Sequence, residues 1–177
     1  MTRVWLIRHG VAQVGATDPP LSEQGRVEAA RVAAALRGRS LVRVMSSDRR
    51  RALETAQKVA APHGLPVEPT DLLRELDFGA WEGRSLADLW WEEPAAASAW
   101  EADVRATPAS FGESVDDLER RVALFWNSAR RIRGGEVTIV AHAGSLAVLS
   151  SLITGEALSS TFAQRLGPGG AVELLAD

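Results

Sequence analysis

The chain has 177 residues, 46% hydrophobic and 24% charged, a profile that suits one globular domain with a continuous core. A net charge of -3 gives no global attraction to nucleic acid or to an anionic membrane, so any basic site must be local. The absence of cysteine excludes a disulfide framework, a thiolate nucleophile and a Cys-ligated metal, and three histidines leave little for a histidine metal centre.

No apolar run reaches the length of a membrane span, and the N-terminus lacks a signal-peptide core, so a cytoplasmic protein is expected. Short β-branched runs alternate with longer segments of helical period, the pattern of an α/β fold with a mostly parallel sheet. The first strand is expected over Arg3 to Ile7. "LSEQGRVEAARVAAALRG" then reads as a helix with Ser22 as N-cap and Gly38 as its stop. A second strand over Leu41 to Met45 leads into "SSDRRRALETAQKVAAPHG", a helix capped by Ser47 or Asp48 and ended by Pro62 and Gly64. "LPVEP" around Val67 suits only a short or edge strand because of its prolines.

The stretch 77–112, rich in Trp, Ala and Glu, reads as a helical flap inserted over one edge of the sheet. "SVDDLERRVALFWNSARRIRGG" begins at Ser114, carries Asp116 and Asp117 in its first turn and finishes with Arg130, Arg131 and Arg133, as the helix dipole favours. "EVTIVA", Glu136 to Ala141, is the next strand. A helix from about Gly144 to Ile153 follows, and Ala171 to Leu175 reads as an edge strand.

Ligands of open α/β sheets bind at the carboxyl ends of the parallel strands. Here those ends carry Arg8-His9-Gly10, then Ser46 and Ser47 followed by Arg49 to Arg51, then His142 with Ala143-Gly144. Taken singly, a histidine at a strand end is usually a cap or a core residue, and an arginine run is usually a solvated helix face. Their coincidence at one rim describes a polyanion site, because guanidinium forks and helix N-terminal amides match phosphoryl oxygens.

Two histidines beside arginines suggest a histidine nucleophile rather than a metal-bound water. Such a nucleophile needs an acid for the leaving oxygen. Glu75, in "LLRELDFGAWEG", is the candidate, with apolar neighbours that would favour its protonated form, and Glu82 is the runner-up.

These residues resemble the histidine phosphatase superfamily, also called phosphoglycerate mutase-like. Six blocks occur in the family's order: "LIRHG", "DPPLSEQG", "SSDRRRALETAQ", "LRELDFGAWEG", "GES" and "VAHAGSL". The resemblance implies a three-layer αβα sandwich with one edge strand antiparallel. It implies that His9 attacks phosphorus to form a phosphohistidine while Arg8, Arg51 and His142 hold the phosphoryl oxygens. Glu75 would protonate the leaving alcohol and then activate water, with neither metal nor cofactor. Only Arg51 falls on the family position before "ALETAQ", so Arg49 and Arg50 are left as rim or solvent residues.

The chain departs from the family at two places. Val11-Ala12-Gln13-Val14-Gly15 stands where relatives carry polar residues, so Gln13 or a backbone amide would supply a phosphate contact. Ala143 replaces a usual glycine, and its backbone amide would still face the phosphate. The chain resembles the alpha-ribazole phosphatases in length and block spacing, which implies a phosphomonoesterase acting on a small sugar- or nucleotide-like phosphate such as alpha-ribazole 5′-phosphate. Little material follows the last helix to close a lid, so hydrolysis is favoured over the alternatives, mutase-type phosphoryl transfer or a non-catalytic phosphate-binding module. Trp81 and Glu82 are the candidate substrate contacts beside the flap, where Trp90, Trp91 and Trp100 also lie; packing of the flap is the plainer role for most of these rings. The resemblance also allows a homodimer, and no nucleic acid or membrane partner is expected.

Overall fold

The computed structural model describes residues 2–15, 17–84, 86–106, 112–132 and 134–176. Five strands form one sheet: β1 (Thr2–Arg8), β2 (Leu41–Ser47), β3 (Val67–Thr70), β4 (Glu136–Ala141) and β5 (Ala171–Ala176). Their order is β3-β2-β4-β1-β5; β5 pairs antiparallel with β1 and every other pairing is parallel. Both proline-flanked β3 and terminal β5 lie at the edges, where a missing ladder donor costs least.

Alternation along the central strands sorts side chains to two faces. Leu6 and Ile139 join Val122, Phe125 and Leu149 on one face, whereas Ile7, Val44 and Val140 join Val32, Ala52 and Val59 on the other. Helices α1 (Glu23–Leu36) and α2 (Arg50–Ala60) therefore cover one face. The other is covered by α5 (Val115–Ala129) and α6 (Ala143–Thr154), which gives the three layers. Among the described residues no helix is long and apolar enough to cross a membrane.

The helix signals act in several ways. The hydroxyl of Ser22 accepts from Gly25 N at 3.1 Å and caps α1, but Gly38 takes no left-handed conformation, and the helix ends instead through Arg37 and Arg39 amides on Ala34 and Leu36 carbonyls. Ser114 caps α5 in a reciprocal box with Asp117. That helix stops at Ala129 with Arg130 as C-cap, so Arg130 and Arg131 lie past its last turn, and Arg133 lies outside the described residues.

The cap expected for α2 is corrected. Neither Ser47 nor Asp48 caps the helix; the carboxylate of Asp18, 32 residues upstream, accepts from Arg50 N at 3.1 and 3.2 Å. A distant loop thus satisfies an orphan amide and pins itself beside the strand ends.

Between β3 and α5 the flap forms two short helices, α3 (Leu86–Glu92) and α4 (Pro94–Ala102). Trp100 makes edge contacts with Phe78 and with Phe162 of α7 (Leu158–Ala163), so the flap rests on the helical layer beside the strand ends. The six residues of α7 are too few to establish a period in sequence, although Leu158 and Phe162, at i and i+4, are both buried.

Candidate active site

Three neighbouring strands, β2, β4 and β1, end in step: Ser46 stands opposite Val140, and Arg8 opposite Ala141. Their carboxyl ends bring Ser47, His142, Arg8 and His9 together, and the first turn of α2 adds Arg51. The two imidazole rings meet edge to face, with centroids 4.9 Å apart.

His9 is buried, and its Nδ1 lies 2.7 Å from the carbonyl of Gly10. A carbonyl only accepts, so Nδ1 carries the proton and Nε2 carries the lone pair. That lone pair accepts from Arg51 Nε at 3.1 Å. Burial, helped by the Arg51 and Arg8 cations, pushes His9 down to about 4 against the opposing pull of the Gly10 carbonyl.

His142 is fixed in the other tautomer. Arg51 Nη2 lies 3.3 Å from its Nδ1 and only donates, so Nδ1 accepts and Nε2–H donates to Ser47 Oγ at 2.9 Å. Burial, with His9 and Arg51 alongside, holds His142 well below the usual imidazole range. Both rings are therefore neutral at neutral pH.

Arg8 donates through Nη1 to Leu166 O at 2.8 Å, while its buried Nε finds no acceptor among the described residues. Burial lowers both Arg8 and Arg51 from the ordinary arginine value, and Glu75 opposes the shift in each, which places its charge beside both cations.

The carboxylate of Glu75 is held by backbone amides. Gly144 N donates to its two oxygens at 3.0 and 3.1 Å, and Leu76 N donates to Oε1 at 2.9 Å. The surroundings are thus a helix N-terminus and two arginines, not the apolar pocket that Leu72 and Leu73 suggested. Space is tight at Gly144: a Cβ there would stand 2.5 Å from Glu75 Oε1, so the carboxylate would have to shift.

The turn after His9 is equally close. A Cβ on Gly10 would meet Gly25 O at 2.4 Å, and one on Gly25 would meet Val11 O at 2.0 Å, so the Arg-His-Gly loop packs backbone against backbone on α1. Glu28 of α1 accepts from Val11 N at 2.8 Å, and Val11 O accepts from Ser22. The segment that departs from the family pattern is therefore tied to α1.

The structure does not bring every candidate to the cluster. Gln13 donates its side-chain amide to Leu21 O at 3.4 Å and makes no bond to His9, Arg8 or Arg51. Trp81 is buried in the flap with Leu89 and Ala97 and donates to Glu93 at 3.1 Å.

Two cavities flank Glu75 and Glu82. One, of about 580 Å³, lies under the flap among Phe78, Trp81, Trp90, Trp100 and Phe162, with Ala143, the first residue of α6, and Gly144 on its wall. The other, of about 380 Å³, is a polar cleft that includes Arg49, Arg51 and Arg74. Two residues that hold the site are missed by reading strand ends: Glu113 and Arg121. Ser47 and Gly144 stand at the strand ends as read, and Glu113 lies inside the "GES" block, whereas Arg121 is one of two adjacent arginines on a helix and carries no local signal.

Residues 4–175 match the family described as the histidine phosphatase superfamily (branch 1). The chain is 32% identical over 169 residues to a glucosyl-3-phosphoglycerate phosphatase of Mycolicibacterium vanbaalenii, covering 86% of this chain and 74% of that protein. It is also 32% identical over 161 residues to the adenosylcobalamin/alpha-ribazole phosphatase of Escherichia coli, covering 86% and 79%. Among solved structures, a mycobacterial glucosyl-3-phosphoglycerate phosphatase in complex with inorganic phosphate superposes with a TM-score of 0.83 at 31% identity, covering 98% of this chain and 89% of that one. The chain belongs to the histidine phosphatase superfamily, branch 1, and is a phosphomonoesterase.

Proposed function

We propose that the enzyme works through a phosphohistidine on His9. The observation that carries this reading is the fixed tautomer: Nδ1–H is held on the Gly10 carbonyl, so the Nε2 lone pair is free of a proton among cations that attract a phosphoryl group. On substrate binding, the N–H groups of Arg51 pass from the imidazoles to phosphoryl oxygens, and Arg8 Nε and the Ala143 amide add donors. His142 contributes through its position beside Arg51.

The phosphate dianion arriving between Arg8 and Arg51 brings a proton onto the Glu75 carboxylate; Nε2 of His9 then forms its bond to phosphorus as the ester oxygen leaves, and Glu75 gives that oxygen the proton. The resulting carboxylate takes a proton from water, the hydroxyl attacks phosphorus, and the nitrogen–phosphorus bond breaks to release inorganic phosphate. His9 and Glu75 return to their starting states. The residues named need no metal for either transfer.

The leaving group lies in the cavity under the flap. Five aromatic rings there offer stacking and edge contacts to a planar base, which supports a nucleotide-like 5′-phosphate, with alpha-ribazole 5′-phosphate first. The polar cleft beside Arg49 favours an acidic substrate such as glucosyl-3-phosphoglycerate as the second reading.

Brief incubation with 32P-labelled substrate and an alkaline quench should trap an acid-labile label on the wild type and none on His9→Gln, while EDTA leaves turnover unchanged. Labelling of His9→Gln at the wild-type level, or strong inhibition by EDTA, would refute the mechanism. Comparing kcat/KM for alpha-ribazole 5′-phosphate, glucosyl-3-phosphoglycerate and 3-phosphoglycerate tests the substrate. Isomerised product in place of free phosphate would show a mutase.

A further inference from the structure

The segment that carries Glu75 is held from behind by one ion pair. Arg121 of α5 donates through Nε and Nη2 to the two carboxylate oxygens of Glu113 at 2.6 and 2.8 Å. Its Nη2 also donates to the carbonyl of Glu75 at 2.9 Å, and its Nη1 donates to the carbonyls of Leu72 and Arg74 at 2.9 and 2.7 Å. All five N–H groups of the guanidinium are thereby committed.

Glu113 completes the frame. It accepts from Asp77 N at 3.3 Å, and the Asp77 carbonyl accepts from the amides of Gly112 and Glu113 at 3.1 and 3.3 Å. The Arg121 and Glu113 side chains are 19% and 16% exposed, so solvent screens this pair far less than an ordinary surface bridge.

The carbonyls addressed belong to the end of a 3₁₀ turn, Asp71–Leu73, and to the two residues after it. These groups have no strand or continuing helix to receive them, so without Arg121 the backbone at Glu75 has no fixed partner behind it. In front, the amides of Gly144 and Leu76 fix the carboxylate. Glu75 is thus set from both sides, by the N-terminus of α6 and by a guanidinium from α5.

We propose that Arg121, locked in orientation by Glu113, is the positioning residue for proton transfer by Glu75. The proposal rests on the reading of Glu75 as the acid for the leaving oxygen. Lysine cannot replace the fork, because an ammonium has three donors and no plane to match both a carboxylate and three carbonyls. The role is geometric: Arg121 lines the polar cleft beside Arg51, but all five of its N–H groups are committed to Glu113 and to backbone carbonyls.

Two substrates separate positioning from plain loss of folding. The constant kcat/KM reports the steps up to release of the alcohol; p-nitrophenolate leaves without a proton, whereas the alkoxide of glycerol phosphate needs one. The ratio of the two constants within one preparation cancels the folded fraction. Arg121→Lys should lower kcat/KM for glycerol phosphate by about 100-fold, the cost of misplacing a reacting group by about 1 Å, and that for p-nitrophenyl phosphate by less than about fivefold.

Glu113→Gln keeps the carbonyl bonds of Arg121 but weakens its lock, and should skew the ratio the same way by about tenfold. It carries the test where Arg121→Lys does not fold. Glu75→Gln should show the largest skew of the three. If Glu75→Gln skews the ratio and the Arg121 and Glu113 variants do not, the positioning proposal is overturned. If Glu75→Gln lowers both constants equally, the reading of Glu75 fails, and the proposal with it.

Discussion

The histidine cluster and the Glu75 segment meet at one cleft, and they are built in opposite ways. The cluster stands on three adjacent strand ends, and a carbonyl, a hydroxyl and one guanidinium fix both rings. Glu75 stands on irregular chain and takes its position from amides of α6 and a guanidinium of α5. Phosphate binding and attack are thus properties of the central strand ends, whereas proton transfer depends on how helices from elsewhere in the chain pack against a loop. The two functions should therefore fail separately.

The largest expected effect is on the cluster. Arg51→Lys removes the fork that bridges His9 and His142 and should cost about 10²- to 10³-fold in kcat/KM for every substrate, including p-nitrophenyl phosphate. A loss confined to alkyl phosphates would break the comparison.

Next comes the cost of burying a neutral histidine. The folded-state value of His9 is depressed to about 4 from 6.5, so the unfolded chain binds the proton more readily. Stability is then full above the unfolded value and falls as pH drops from 6.5 towards 4, by about 3 kcal/mol for this ring. Urea unfolding of the wild type and of His9→Gln at pH 7 and pH 4 measures it: the variant should lose less by about that amount. Equal losses would show that the buried ring carries no such linkage.

A smaller effect should fall on Glu75 alone. Gly144→Ala places a methyl 2.5 Å from the present position of Oε1, so the carboxylate must move. The expected loss is about 100-fold in kcat/KM for glycerol phosphate. Inhibition by inorganic phosphate should stay as in the wild type, because the cluster is untouched; a weakened phosphate inhibition would show that the two regions are coupled.

The same contrast explains what could be read from sequence. The strands, the rim they form and the placement of Arg8, His9 and His142 follow from local hydrophobic runs and the residues that end them, whereas Arg51 is told from Arg49 and Arg50 only by the resemblance to the family. Contacts between distant segments leave no such trace. Ser47 looks like a helix cap, yet its hydroxyl accepts from His142 Nε2–H and from the amide of Arg49, ahead of the helix, while Asp48 pairs with Arg74 and Asp18 supplies the cap. The apolar sequence around Glu75 does not foretell the backbone amides that hold its carboxylate, because side chains on irregular backbone do not follow a period. Gln13 turns to Leu21 because a single bridge between Ala12 and Leu21 closes the loop.

The smallest expected effect concerns the flap, whose aromatic rings line the cavity beside Glu75 and should set preference rather than rate. Trp90 lines the cavity beneath it and is 40% exposed, so its ring can be removed at little cost to packing, unlike the buried Trp81. Loss of one stacking face is worth about 1 kcal/mol, so Trp90→Ala should lower kcat/KM for alpha-ribazole 5′-phosphate by about fivefold. Ribose 5-phosphate, which has no aromatic base to stack, should be used as well by the variant as by the wild type. Equal losses on the two substrates would place the leaving group outside the aromatic cavity and move the search to the polar cleft beside Arg49. An unchanged constant for both would leave the flap without a part in recognition. A selective loss would show that this region, read from the sequence as a helical insertion with candidate substrate contacts beside it, chooses the alcohol that Glu75 then protonates.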